Sequence, residues 1–147
     1  MSELTVRDMQ ERDIPAVLAI EKISFSNPRS EQAFLDEIYG KYAFSKVALY
    51  EGKVVGYICA HYMLHEAHIL DLAVHPDLRR RGIATILMKE AARELKKRGC
   101  VFAYLKVRAS DAGAKSFYEL SGFKVATVRK KYYDNPEEDA LMMMGRL

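Results

Sequence analysis

Arg79-Arg80-Arg81-Gly82-Ile83-Ala84 lies between an apolar run at 69–74, Ile-Leu-Asp-Leu-Ala-Val, and a long run of helical periodicity at 83–95. The order is a strand, then a basic glycine-containing turn, then the start of a helix. Such an arrangement makes a cradle for an anion. The first amides of a helix have no intrahelical partners, and the helix dipole concentrates partial positive charge there. Arginines add charge-assisted hydrogen bonds to phosphate oxygens. The small residues Gly82 and Ala84 allow a diphosphate to approach the main chain closely. The stretch therefore reads as the pyrophosphate seat of a coenzyme, formed by Arg79, Arg80, Arg81, Gly82, Ile83 and Ala84.

Outward from this turn, the chain reads as alternating α and β segments. A short strand at 4–9 comes first. Asp13 reads as an N-cap with Pro15 in the first turn, followed by a helix carrying Val17, Leu18, Ile20 and Ile23 inward. Ser26-Asn27-Pro28-Arg29 breaks that helix. Ser30 then caps a second, with Phe34, Leu35 and Ile38 inward and Gly40 at its end. Strands at 47–50 and 54–62 flank the turn Glu51-Gly52, and a third antiparallel strand occupies 68–74.

The long helix covers 82–98, closed by Gly99, with Lys96, Lys97 and Arg98 at the negative end of its dipole. A buried-type strand at 101–107, a helix at 111–120, and strands at 123–129 and 140–144 complete the chain. Tyr132-Tyr133 falls in the loop between those last two strands. The order β-α-α-β-β-β-α-β-α-β-β predicts an α/β fold with one mixed sheet and one right-handed parallel crossover, whose first turn holds the arginines.

The 147 residues suit one domain. A net charge of +3 suits an anionic ligand but is too small to argue for nucleic acid. No apolar run reaches the roughly 18 residues that span a bilayer. The polar N-terminus does not read as a signal peptide. Cys59 and Cys100 lie far apart in apolar segments and read as buried thiols, which suits the cytoplasm. His61, His65 and His68 fall across a hairpin and do not converge as metal ligands must, so no metal is expected.

Five motifs occur in order: Leu72-Ala73-Val74-His75-Pro76, Arg79-Arg80-Arg81-Gly82-Ile83-Ala84, Leu105-Lys106-Val107-Arg108-Ala109-Ser110-Asp111, Phe117-Tyr118-Glu119-Leu120-Ser121-Gly122-Phe123, and Tyr132-Tyr133 followed by Glu138-Asp139-Ala140. With the order of elements, they resemble the GNAT-fold N-acetyltransferases over nearly the whole chain. The resemblance is nearest to the group acetylating protein N-termini, including the bacterial ribosomal-protein alanine acetyltransferases. It implies a single N-acetyltransferase domain over 1–147 and acetyl-CoA as co-substrate. It also implies a protein or peptide N-terminus as acceptor, with direct transfer in a ternary complex.

Residue by residue, the resemblance implies that Leu72, Ala73 and Val74 offer main-chain groups to the pantetheine arm, as an added strand would, and that the turn from Arg79 to Thr85 takes the pyrophosphate through its main-chain amides. Asp111 stands where the family usually has Asn for that arm, and it also suits a helix N-cap. Tyr118 would stand beside the thioester sulfur as a proton donor to the leaving thiolate. Tyr132, Tyr133 and Arg29 would line the acceptor.

One departure concerns the base. Lys106 occupies a position held by Glu in bacterial relatives and by His in some eukaryotic ones, and an ammonium cannot accept a proton. Asp71, on the neighbouring strand, is the candidate replacement, holding water for the acceptor and offsetting Lys106.

A poor base favours an α-amine acceptor, of pKa about 7.7–8.0, over a lysine side chain at about 10.4. The alternatives are a small-amine acetyltransferase, whose acidic pocket would use Asp71, Glu137 and Glu138, and an acetyl-CoA-sensing module without catalysis.

Overall fold

The computed structural model describes residues 4–147. Its strands are β1 (Leu4–Asp8), β2 (Ala43–Tyr50), β3 (Lys53–Met63), β4 (Glu66–Val74), β5 (Phe102–Arg108), β6 (Phe123–Tyr133) and β7 (Glu138–Arg146). Its helices are α1 (Ile14–Ser24), α2 (Glu31–Tyr39), α3 (Ile83–Lys97) and α4 (Ala112–Leu120), with short 3-10 turns at Glu11–Asp13 and Pro76–Leu78. The element order is the one the sequence predicts.

The strands form one mixed sheet in the order β1-β2-β3-β4-β5-β7-β6. All neighbours run antiparallel except β4 and β5. Helices α1 and α2 cover one face, around Val17, Ile20, Phe34 and Tyr57. Helices α3 and α4 cover the other, around Leu87, Leu95, Leu105 and Tyr118. Helix α3 buries Ile83, Leu87, Met88, Ala91 and Leu95 along one stripe, which is the periodicity that makes it a helix. Gly99, at φ +93°, closes it, as the left-handed C-terminal position requires.

Two irregularities open the middle of the sheet. In the β3–β4 ladder, Cys59 pairs with Asp71 and Ala60 with Ile69, so Leu70 is an extra residue. Such a bulge bends its strand and re-aims the side chains beside it. The parallel β4–β5 ladder holds only from Glu66 opposite Phe102 to His68 opposite Tyr104. Beyond that point the two strands part, leaving the later edge of β4 unpaired on its β5 side.

Several sequence expectations change locally. Asp13 precedes α1 but does not cap it with its side chain. Its carboxylate instead takes two hydrogen bonds from Arg7, at 2.8 and 2.9 Å, and one from the Gln10 amide at 2.8 Å. Ile23 is 58% exposed, and Glu21 takes the inward position. Tyr132 and Tyr133 belong to the end of β6, with Tyr133 opposite Glu138, because β6 continues past a break in its ladder after Arg129.

Candidate functional site

Where β4 and β5 separate, a cleft of about 820 Å³ passes between them. Its walls come from both helix layers. Glu21, Ser24 and Phe25 of the α1 side face it, and so do Gly82, Ala114, Phe117 and Tyr118 of the α3–α4 side. Most of the residues singled out from sequence converge here. Arg29, Asp71, Leu72, Ala73, Val74, Arg79, Arg80, Gly82, Ile83, Ala84, Thr85, Lys106, Asp111, Tyr118 and Tyr133 all line it. Arg81 and Tyr132 are exposed and stand outside its walls.

The basic turn has the geometry of an anion cradle. Gly82 is the N-cap of α3 at φ +81°, and no side chain caps the first amides of the helix. Ser30 and Asp111, by contrast, each close their own helix with a side-chain oxygen. The α3 amides are therefore left for an external acceptor. Nothing lies within 4 Å of the position a Cβ would take on Gly82, so the cradle is open. The arginines divide their work. Arg79 is tied to the molecule through the Val74 carbonyl, 3.0 Å from Nε, and Ser24 Oγ, 3.3 Å from its guanidinium. Arg80 sits at φ +65° on the cleft wall.

Tyr118 is buried in the cleft floor between the rings of Phe117 and Phe123, whose centres are 5.1 and 5.9 Å away. Burial, with the charge of Asp71 next, raises its pKa above the ordinary phenol value. Its hydroxyl therefore stays protonated and is a donor. Asp111 Oδ1 accepts from the Ala114 amide at 3.0 Å, so its capping function is realised while it faces the cleft.

On the α1 side a chain of buried polar groups adjoins the cleft. Asp71 and Glu21 are 8% and 1% exposed, and their carboxyl groups face each other. Burial, then the Glu21 carboxyl, raises the pKa of Asp71 far above the usual carboxylate range, so the pair shares a proton at neutral pH. Glu21 is held by the Tyr57 hydroxyl at 2.5 Å and by the Arg29 amide at 2.8 Å. Asp71 Oδ2 is buried and has no hydrogen-bond partner among the described residues.

Asp71 thus engages Glu21 and does not offset Lys106 as expected. The Lys106 ammonium turns instead to His68 Nε2, at 3.5 Å, and to the rings of Tyr104 and Tyr132, at 5.9 and 5.5 Å. Burial and the neighbouring Lys106 lower the pKa of His68 to about 4, which keeps its imidazole neutral.

Glu21 is a site residue that the motifs do not mark. The signal was present, because Ile14, Val17, Leu18 and Glu21 follow the i, i+3, i+4, i+7 spacing of a buried stripe. Arg108 was also missed. It hydrogen-bonds the Asp134 and Pro136 carbonyls at 2.9 Å, Ser26 Oγ at 3.2 Å and Glu138 at 3.2 Å, and it lies 4.5 Å from the centre of the Tyr133 ring. It therefore fastens the β6–β7 turn to β5 and to the loop after α1. Arg29 lines the cleft, but its guanidinium is bonded to the buried Glu37 at 2.7 Å.

Known proteins share both this sequence and this geometry. The chain is 34% identical over 141 residues to the ribosomal protein bS18-alanine N-acetyltransferase of Escherichia coli, covering 95% of each chain. The crystal structure of the Escherichia coli ribosomal-protein-S18-alanine N-acetyltransferase superposes with a TM-score of 0.89, covering 97% of this chain and 93% of that one, at 33% identity. The structure of Ard1 from Thermoplasma volcanium gives a TM-score of 0.90 at 27% identity, covering 99% and 98%. Residues 14–123 match the acetyltransferase (GNAT) family itself. With that match over most of its length and those relatives, the chain belongs to the GNAT family of acetyltransferases.

Proposed function

We propose that this chain transfers the acetyl group of acetyl-CoA to the N-terminal α-amine of a protein, acting as one domain over residues 1–147. The observation that carries this reading is the opening between β4 and β5, which reaches both helix layers. Bacterial relatives of this chain are alanine N-acetyltransferases of a ribosomal protein, which supports the same acceptor class here.

On the α3 side, the free amides of residues 83–85 and the Arg80 side chain suit a diphosphate, with Arg79 holding the turn in place. The unpaired edge of β4 at Leu72, Ala73 and Val74 suits the amide arm of the donor, which would add to it like a strand. The acetyl-CoA thioester supplies the activated acyl group. Tyr118 donates a hydrogen bond to the sulfur as it becomes a thiolate. Because its pKa is raised, the phenol stabilises that charge by donation and keeps its own proton.

On the α1 side, Tyr133 and the polar groups beside Arg29 line the way in for the acceptor, with Tyr132 at the outer edge. The Asp71–Glu21 pair, which lines the cleft, takes up the amine proton through water. The raised proton affinity of Asp71 brings it closer to that of an α-amine, which is the condition for efficient transfer. The lysines and arginines around the acceptor side disfavour a second ammonium there and so favour the neutral, nucleophilic amine. Glu138 is committed to Arg108 and to the Ser110 amide, at 3.2 and 2.6 Å, which leaves a small polyamine without the acidic pocket it would require.

The reaction is placed in the cytoplasm, a reading supported by the two buried free thiols, Cys59 and Cys100. Among the described residues no helix is long and apolar enough to cross a membrane. The reading is tested with acetyl-CoA and two peptide sets, one with free N-termini and no lysine, the other with blocked N-termini and a lysine. Thiol release and mass spectrometry should show acetylation of the first set at the α-amine. Acetylation confined to the second set would overturn it.

A further inference from the structure

Positive charge on the acceptor side is unbalanced at one place. The Tyr132 ring has the Lys106 ammonium 5.5 Å from its centre and the Arg129 guanidinium carbon 5.8 Å from it. Three other cations nearby have anionic partners. Arg29 is paired with Glu37, Arg108 with Glu138 and Lys130 with Asp139. Among the described residues, neither Lys106 nor Arg129 has a carboxylate within 4 Å. Lys106 is also half-buried, so water replaces the missing anion only in part. The ring face attracts both cations but cannot neutralise them. His68 adds no opposite charge, since its imidazole is neutral.

We infer that the acceptor brings the missing carboxylate: the enzyme prefers protein N-termini with an aspartate or glutamate among their first residues, received beside the Tyr132 ring by Lys106 and Arg129. This rests on the N-terminal acetylation proposed above and names the class of acceptor for that same site. Both cations lie close to the Tyr132 ring centre, at 5.5 and 5.8 Å, so a carboxylate arriving beside that ring meets a locally positive surface. Complementary charge of this kind speeds encounter and discriminates between acceptors more than it adds affinity. A basic N-terminal segment would meet like charges and be disfavoured.

The test uses the full chain, acetyl-CoA and lysine-free peptides of equal length with a free N-terminal alanine. An aspartate, alanine or arginine is placed at the second or third residue in turn. Thiol release should give kcat/KM in the order aspartate, alanine, arginine for at least one position, with about fivefold between successive members, narrowing as salt is added. Lys106→Gln and Arg129→Gln should each shrink the aspartate-to-arginine ratio, and the double variant should bring it near one. Arg129 is exposed, so its variant keeps the test open if Lys106→Gln does not fold. Equal rates across the panel, or a preference for arginine, would overturn the inference and leave N-terminal acetylation standing. A preference for aspartate untouched by either substitution would overturn it equally. Failure to acetylate any free N-terminus would remove the underlying reading itself.

Discussion

Asn27 Nδ2 donates a hydrogen bond of 2.8 Å to the main-chain carbonyl of Asp134, although 107 residues separate them. With the 3.2 Å bond from Arg108 to Ser26 Oγ, it ties the loop after α1 to the β6–β7 turn. The two sides of the proposed acceptor passage are therefore braced against each other. Asn27→Ala removes one brace from an exposed position, so stability should fall by no more than about 1 kcal/mol. KM for a peptide acceptor should rise several-fold while KM for acetyl-CoA stays the same. Initial-rate kinetics with each substrate varied in turn would decide, and an equal rise in both constants would refute a braced acceptor side.

Tyr118→Phe keeps the packing against Phe117 and Phe123 but removes the donor hydroxyl. A donor aimed at developing negative charge is worth roughly 10²-fold in kcat. The variant should therefore lose about that factor in kcat, with little change in either KM. The loss should shrink with an acetyl thioester whose leaving thiol is more acidic. A variant as active as the parent would show that the phenol does not meet the sulfur.

Asp71 supplies a pH test. Its raised pKa means that, from about pH 4 upward, the native state keeps a proton that the unfolded chain has released. The native state then binds more protons, so this group lowers stability as pH rises through that window. Asp71→Asn removes the effect. The variant should match the parent near pH 4 and exceed it by a few degrees in Tm near pH 8, while losing turnover. Thermal melts across that range would show it, and a pH-independent difference would count against a shared proton between Asp71 and Glu21.

Arg29→Ala should act mainly on the fold. Glu37 is 1% exposed and holds the Arg29 guanidinium at 2.7 Å, with His61 Nε2 2.6 Å from its other oxygen. Removing Arg29 strands a buried carboxylate, at a cost of about 3–5 kcal/mol. Arg29→Ala with Glu37→Gln should recover most of that loss in denaturant melts. No recovery would assign Arg29 a function other than holding Glu37.

The sequence made the central crossover legible because each signal there is local. The apolar strand, the glycine-containing turn, the stripe of α3 and the lysines at its end each need only neighbours a few residues away. Tyr118 and the basic turn could be placed for the same reason. What escaped was long-range. Glu21 and Glu37 acquire their roles only when Tyr57, Arg29 and Asp71 arrive from other elements to satisfy them. The true setting of Lys106 depends on His68 across the sheet. Tyr132 and Tyr133 read as loop because the ladder break after Arg129 interrupts the strand pattern that would have revealed them.

The extra residue at Leu70 and the short β4–β5 ladder have a kinetic consequence. They give the molecule two doors on opposite walls of one chamber. A donor let in by one door does not block the other, so neither product has to leave before the second guest arrives. Double-reciprocal plots should accordingly intersect, and no acetylated form of the protein alone should accumulate.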